Sequence, residues 1–277
     1  MSGSALEHVL TRDRRVVAAS LAALCLLAWL YLLHLATQMA GMSETTGMPP
    51  GDGMSDMVGA AMRIDAATLA DAKVEFALLA LMWAVMMVGM MLPSASPTIL
   101  LFAALERKRA ERAIGGRTAA FVFGYLGIWS LFAVVAAAAQ TLLANAGLMS
   151  TQMAATSTLL AGGIFVAAGL YEFTPLKDRC LTRCRSPLDW IPRHIRPGRL
   201  GALRVGLLHG AYCVGCCWVM MLLLFVGGVM NLVWVAVIAI FVLAQKVIPS
   251  GPILSRLAGV TLVFSGVVLM ARPLLAQ

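Results

Sequence analysis

His209, Cys213, Cys216 and Cys217 place one imidazole and three thiols inside a stretch that otherwise reads as a membrane-spanning helix. At about 100° per residue, offsets of four, seven and eight from His209 fall at roughly 40°, 340° and 80°, so the four side chains share one helix face. Met220 returns to that face at about 20°. Thiolate, thioether and imidazole together suit a soft or borderline transition metal ion, with copper favoured as Cu(I) and zinc as the alternative. Polar side chains at membrane depth also need a partner. The spacing therefore predicts an intramembrane metal or redox site. The competing reading is packing, because cysteine behaves as a small hydrophobe and a histidine can simply reach a backbone carbonyl.

The elements that must position these residues follow from composition. Hydrophobic residues make up 61% of the 277 and charged residues only 12%, and several apolar runs exceed the roughly 18 residues needed to cross a bilayer. An all-α, polytopic helical membrane protein is expected. Seven spans are read near residues 16–36, 76–103, 118–143, 153–173, 205–228, 231–248 and 253–271. With the N-terminus inside, all but Arg63, Lys73 and Arg272 of the 21 basic residues fall on one side. The positive-inside rule then gives an N-in, C-out chain. The net charge of +8 is accounted for by topology and anionic headgroups, so membrane lipid is the expected partner and nucleic acid is not. The first apolar run is too long for a signal-peptide core and is read as a retained helix.

Three regions result: 1–37, a basic segment with the first span; 38–75, an extracytoplasmic loop; and 76–277, a six-helix core. The loop carries Met39, Met42, Met48, Met54 and Met57, with Met62 soon after, among Gly and Pro that argue against regular structure. Thioethers bind Cu(I) without deprotonation, so these residues are candidate capture ligands. Lipid contact is the alternative.

Met82, Met86 and Met90 recur every four residues in the second span and share a face, whereas Met87 and Met91 drift to the other side. They are read either as part of a metal path or as core. Further along, Pro93 and Pro97 remove backbone donors and predict a kinked or broken helix, repaired by serine or opened as a binding element. Glu172 closes the fourth span, where an acid could pair with a cation, carry protons or bind the metal. Cys180 and Cys184 follow, four apart among Arg179, Arg183 and Arg185, and are expected to face the cytoplasm. Pro97, Glu172, His209, Gln245 and Lys246 should all fall at one depth, in the cytoplasmic half of the bilayer.

Met82 to Ser94, Tyr171 to Pro187, and Gly210 to Trp218 with Phe225 to Leu232 resemble, in that order, the three signatures of a bacterial family of predicted metal-binding integral membrane proteins, the domain of unknown function 2182. The similarity covers about residues 75–270. It implies a multi-pass protein of the bacterial inner membrane that binds a metal, without naming ion, direction or reaction. An acidic residue is expected of the family where Gln245 precedes Lys246, and its absence puts a charge pair there in doubt.

Three classes of function remain from this reading. The first is a membrane protein that handles or transports a soft metal, working with a metal chaperone or a membrane complex as partner. A thiol-redox enzyme is the second, and an accessory or assembly subunit of a membrane complex is the third. No nucleotide-binding loop is present, so ATP-driven transport would need a partner.

Overall fold

The computed structural model describes residues 3–45, 69–108, 114–149 and 157–275, and they are helical with no β-strand among them. The helices are α1 (Gly3–Thr45), α2 (Leu69–Lys108), α3 (Ile114–Asn145), α4 (Thr158–Tyr171), α5 (Pro175–Arg185), α6 (Pro187–His194), α7 (Gly198–Leu222), α8 (Leu224–Gly227), α9 (Leu232–Val247) and α10 (Gly251–Leu275). Five segments are long and apolar enough to cross a membrane: Arg15–Gln38, Ala72–Arg107, Gly115–Asn145, Gly198–Gly227 and Gly251–Ala271. The fourth and sixth spans are the irregular ones. The fourth falls on α4, which forms with α5 a pair bent by 66°, and the sixth on α9, an apolar helix shorter than those five.

Large apolar side chains point away from the protein along these helices, among them Leu26 and Leu30 on α1, Leu131 and Leu142 on α3, Ile240 on α9 and Phe264 on α10. Such a surface is stable against lipid and unstable against water, so the all-α fold is that of a polytopic membrane protein. The interior holds Trp83, Phe102, Phe121, Tyr125, Trp129 and the α2 methionines.

Without a hydrophobic force between helices in lipid, close backbone approach must supply dispersion contact, and small residues permit it. α3 and α7 do this with Gly124 and Gly206. A Cβ on Gly206 would collide with the Phe121 carbonyl oxygen, and one on Gly124 with that of Leu203. That contact fixes the height of α7 against α3, and so the depth of every cysteine on α7.

Of the two readings of Pro93 and Pro97, the serine-repaired helix is the one found: α2 runs uninterrupted from Leu69 to Lys108. Each proline removes the donor that would reach the carbonyl four residues back, and each freed carbonyl has found another group. Trp29 Nε1 donates to Gly89 O at 3.3 Å with Cys25 Sγ at 3.6 Å, and Ser96 Oγ donates to Pro93 O at 2.8 Å. Ser94 Oγ and Tyr125 Oη both donate to Met91 O, at 2.9 and 3.1 Å. Tryptophan and serine thus repair the helix.

The sharp bend lies instead between α4 and α5. Thr174 caps α5, its hydroxyl accepting from Lys177 N at 3.3 Å, and Pro175 fills the first turn. Threonine as N-cap followed by proline is a strong helix start, so the chain ends one helix and begins another in a new direction. The bend lays α5 against α7.

Candidate metal centre

Cys213, Cys216 and Cys217 are all buried on α7, each about 1% exposed. The thiols of Cys216 and Cys217 donate back to Cys213 O at 3.1 and 3.0 Å, which turns both sulfurs toward the helix face that carries Cys213. From α5, Cys184 Sγ comes to 3.9 Å from Cys216 Sγ. From α2, Met91 Sδ lies 4.0 Å from Cys217 Sγ. Three helices therefore bring sulfur to one place.

Two of these participants differ from the sequence expectation. Cys184 was expected to face the cytoplasm with Cys180, but the 66° bend tucks it into the core, while Cys180 stays half-buried. Met91 was set on the far side of α2 from Met82, Met86 and Met90. All four are buried, as is Met87, because α2 is enclosed by α1, α3 and α9, and Met91 is the one placed against a thiol. Met220 is buried in the same core.

Polar groups surround the sulfurs. Lys246 Nζ reaches across from α9 to within 2.9 Å of Cys213 Sγ and donates to Ser94 Oγ at 3.0 Å. Tyr125 Oη lies 3.1 Å from Cys213 Sγ. A half-buried ammonium is costly without an anion, and a metal-binding cysteine is a thiolate, so each supplies what the other lacks.

His209 lies one turn from Cys213 on α7, and among the described residues its ring makes no hydrogen bond to a sulfur. Its ring is 2% exposed and stacks among Tyr125, Phe121 and Trp190, with centroids at 5.5, 6.0 and 6.1 Å. Its Nδ1 has no hydrogen-bond partner among the described residues. Glu172 makes its contacts in a separate polar cluster. One of its oxygens pairs with Lys177, and the other accepts from Gln245 Nε2 at 3.0 Å and from Ser255 Oγ. Lys177 Nζ also donates to Gln245 Oε1 at 3.3 Å. With both carboxylate oxygens held this way, the acid serves as counter-ion to a buried lysine. The amide of Gln245 fits where an acid was expected, since it donates to Glu172 and accepts from Lys177 at once.

Gln245 and Lys246 are neighbours on α9 and serve different networks, the first joined to Glu172 and the second to Cys213. Two polar clusters are thereby anchored to one helical turn. Of the loop methionines, Met39 and Met42 fall within the backbone of α1, which continues to Thr45, rather than in an irregular loop. Met48, Met54 and Met57 lie outside the described residues.

Among the described residues no three His, Cys, Asp or Glu side chains form a ready-made cage for a metal ion. The donors come instead as sulfur pairs, Cys184 with Cys216 and Cys217 with Met91. Two sulfurs bound at about 2.3 Å to one ion would sit about 3.8 Å apart at a tetrahedral angle and about 4.0 Å apart at a trigonal one. The Cys184 to Cys216 spacing of 3.9 Å lies between these values. Sulfur donors of this kind, with a thioether among them, fit a soft ion such as Cu(I).

A family model described as PpoB2, copper chaperone, matches residues 80–269. The match covers nearly the stretch on which the motif resemblance rests. It bears out a copper-related family without itself naming the domain of unknown function 2182. No curated protein and no solved structure shows a significant match to the chain.

Proposed function

Because the chain belongs to the PpoB2 copper chaperone family, we propose that it is a multi-pass protein of the bacterial inner membrane, N-terminus inside, that carries Cu(I) as cargo and passes it to a partner protein. The cargo ligands are Cys184, Cys213, Cys216, Cys217 and Met91. The observation that carries this reading is the meeting of Cys184 and Cys216 from two helices at a spacing that suits a shared ion.

Charge supports it as well. One Cu(I) on two thiolates carries a net negative charge, which is poorly tolerated in a low-dielectric interior. The Lys246 ammonium beside Cys213 offsets it. The Met91 thioether beside Cys217 is a donor for Cu(I) rather than for Zn(II), whose usual protein ligands are thiolate, imidazole and carboxylate. Met39, Met42, Met48, Met54 and Met57 would collect copper outside, and the buried α2 methionines Met82, Met86 and Met90 would line the way inward. Accepting and releasing the ion is ligand exchange and needs no catalytic residue.

Titration of the detergent-purified full chain with Cu(I), against a chromophoric Cu(I) chelator under reductant, tests the proposal. Wild type should compete for close to one Cu(I) per chain. Replacing Cys213 and Cys216 by Ser should abolish that binding while the protein remains in the membrane fraction. Undiminished binding by the double variant would contradict the assignment.

A further inference from the structure

A site enclosed in this way needs a route to the surface. Cys213, Cys216, Cys217 and Cys184 are all buried, so no acceptor protein can touch them directly. Cys180 is different. It lies one turn before Cys184 on α5 and therefore on the same face, and it is half-exposed. Its neighbours Asp178, Arg179, Thr182 and Arg183 are exposed, which places this stretch against water or headgroups rather than hydrocarbon.

Cys180 also has room made for it on α7. A Cβ on Gly215 would lie only 2.8 Å from Cys180 Sγ, so the thiol rests directly on the glycine, next in sequence to Cys216. The sulfur pairs Met91 with Cys217 and Cys216 with Cys184 thus lie in the core, and Cys180, one turn from Cys184 and resting on Gly215, stands between them and the surface.

Resting on the Cu(I) reading above, we propose that Cys180 is the transfer thiol, through which copper passes between the buried sulfurs and an acceptor, and that Gly215 holds open the contact it needs. In the exchange a Cu(I)–S bond to Cys180 forms as one to Cys184 or Cys216 breaks. The proton released by the Cys180 thiol is taken by the departing thiolate, and no electron moves.

The test uses the full chain in detergent, loaded with Cu(I) and mixed rapidly with bathocuproine disulfonate, a charged chelator too large to enter the core. Cys180→Ser should bind Cu(I) at equilibrium as wild type does and release it more slowly, by about tenfold or more. Gly215→Ala, which pushes the sulfur away, should slow release in the same direction. Cys180→Met, which restores a sulfur ligand, should recover part of the rate. A purely structural role for Cys180 would change affinity and rate together. Release from Cys180→Ser at the wild-type rate would overturn the transfer role and leave the buried site standing, whereas failure of wild type to hold Cu(I) at all would overturn both.

Discussion

Lys246 Nζ and Cys213 Sγ, 2.9 Å apart and contributed by α9 and α7, join the thiol cluster to the helix that also anchors Glu172 through Gln245. A lysine in this position acts on a bound ion through its ligand. Outer partners of metal ligands are commonly worth about 10- to 100-fold in affinity. Lys246→Met should therefore weaken Cu(I) binding by about that factor, read by chelator competition, and Lys246→Arg should lose less because it keeps the charge.

Cys184 and Cys216 should behave as one unit. If they share an ion, Cys184→Ser and Cys216→Ser each remove most of the affinity contributed by the pair, and the double variant is little worse than either single one. Groups that act independently would give additive losses instead. The measurement is Cu(I) affinity across the four proteins of the cycle.

The α2 methionines offer a sharper contrast. Met91→Leu removes the thioether beside Cys217 and should lower Cu(I) affinity, while Met90→Leu, equally buried but with no sulfur contact, should leave it unchanged. Leucine is close to methionine in volume, so packing is disturbed in both cases by less than about 1.5 kcal/mol. Equal effects of the two substitutions would remove Met91 from the ligand set.

What could be read from the sequence was the membrane fold and the grouping on a single helix. Angles along α7 place Cys213, Cys216 and Cys217 on one face because a helix is regular, and they are indeed buried together. Partners from other helices could not be found by that arithmetic. Cys184 was assigned to the cytoplasm from its arginine neighbours, and only the bend at Thr174 and Pro175 carries it back to Cys216. Met91 was set apart from Met90 by a helical wheel that assumes one buried face, whereas α2 is buried on several. The contacts of Lys246 and Tyr125 with Cys213 depend on which helices are adjacent, and sequence periodicity carries no such information.

The Glu172 network makes a separate claim about stability. Glu172→Gln leaves Lys177 buried without its carboxylate, and breaking a buried pair from one side costs about 3–5 kcal/mol. A clear drop in the thermal unfolding midpoint in detergent is expected, with Cu(I) stoichiometry preserved in the protein that stays folded. Loss of copper from a protein of normal stability would instead return the carboxylate to the metal site.

X-ray absorption at the copper edge of the Cu(I)-loaded full chain tests the central claim most directly, since it reports the atoms bound to the ion. The account expects a sulfur-only shell of two or three ligands, with Cu–S scattering lost when Cys213 and Cys216 are replaced by Ser. A shell of nitrogen and oxygen, or an unchanged sulfur shell in that double variant, would contradict it.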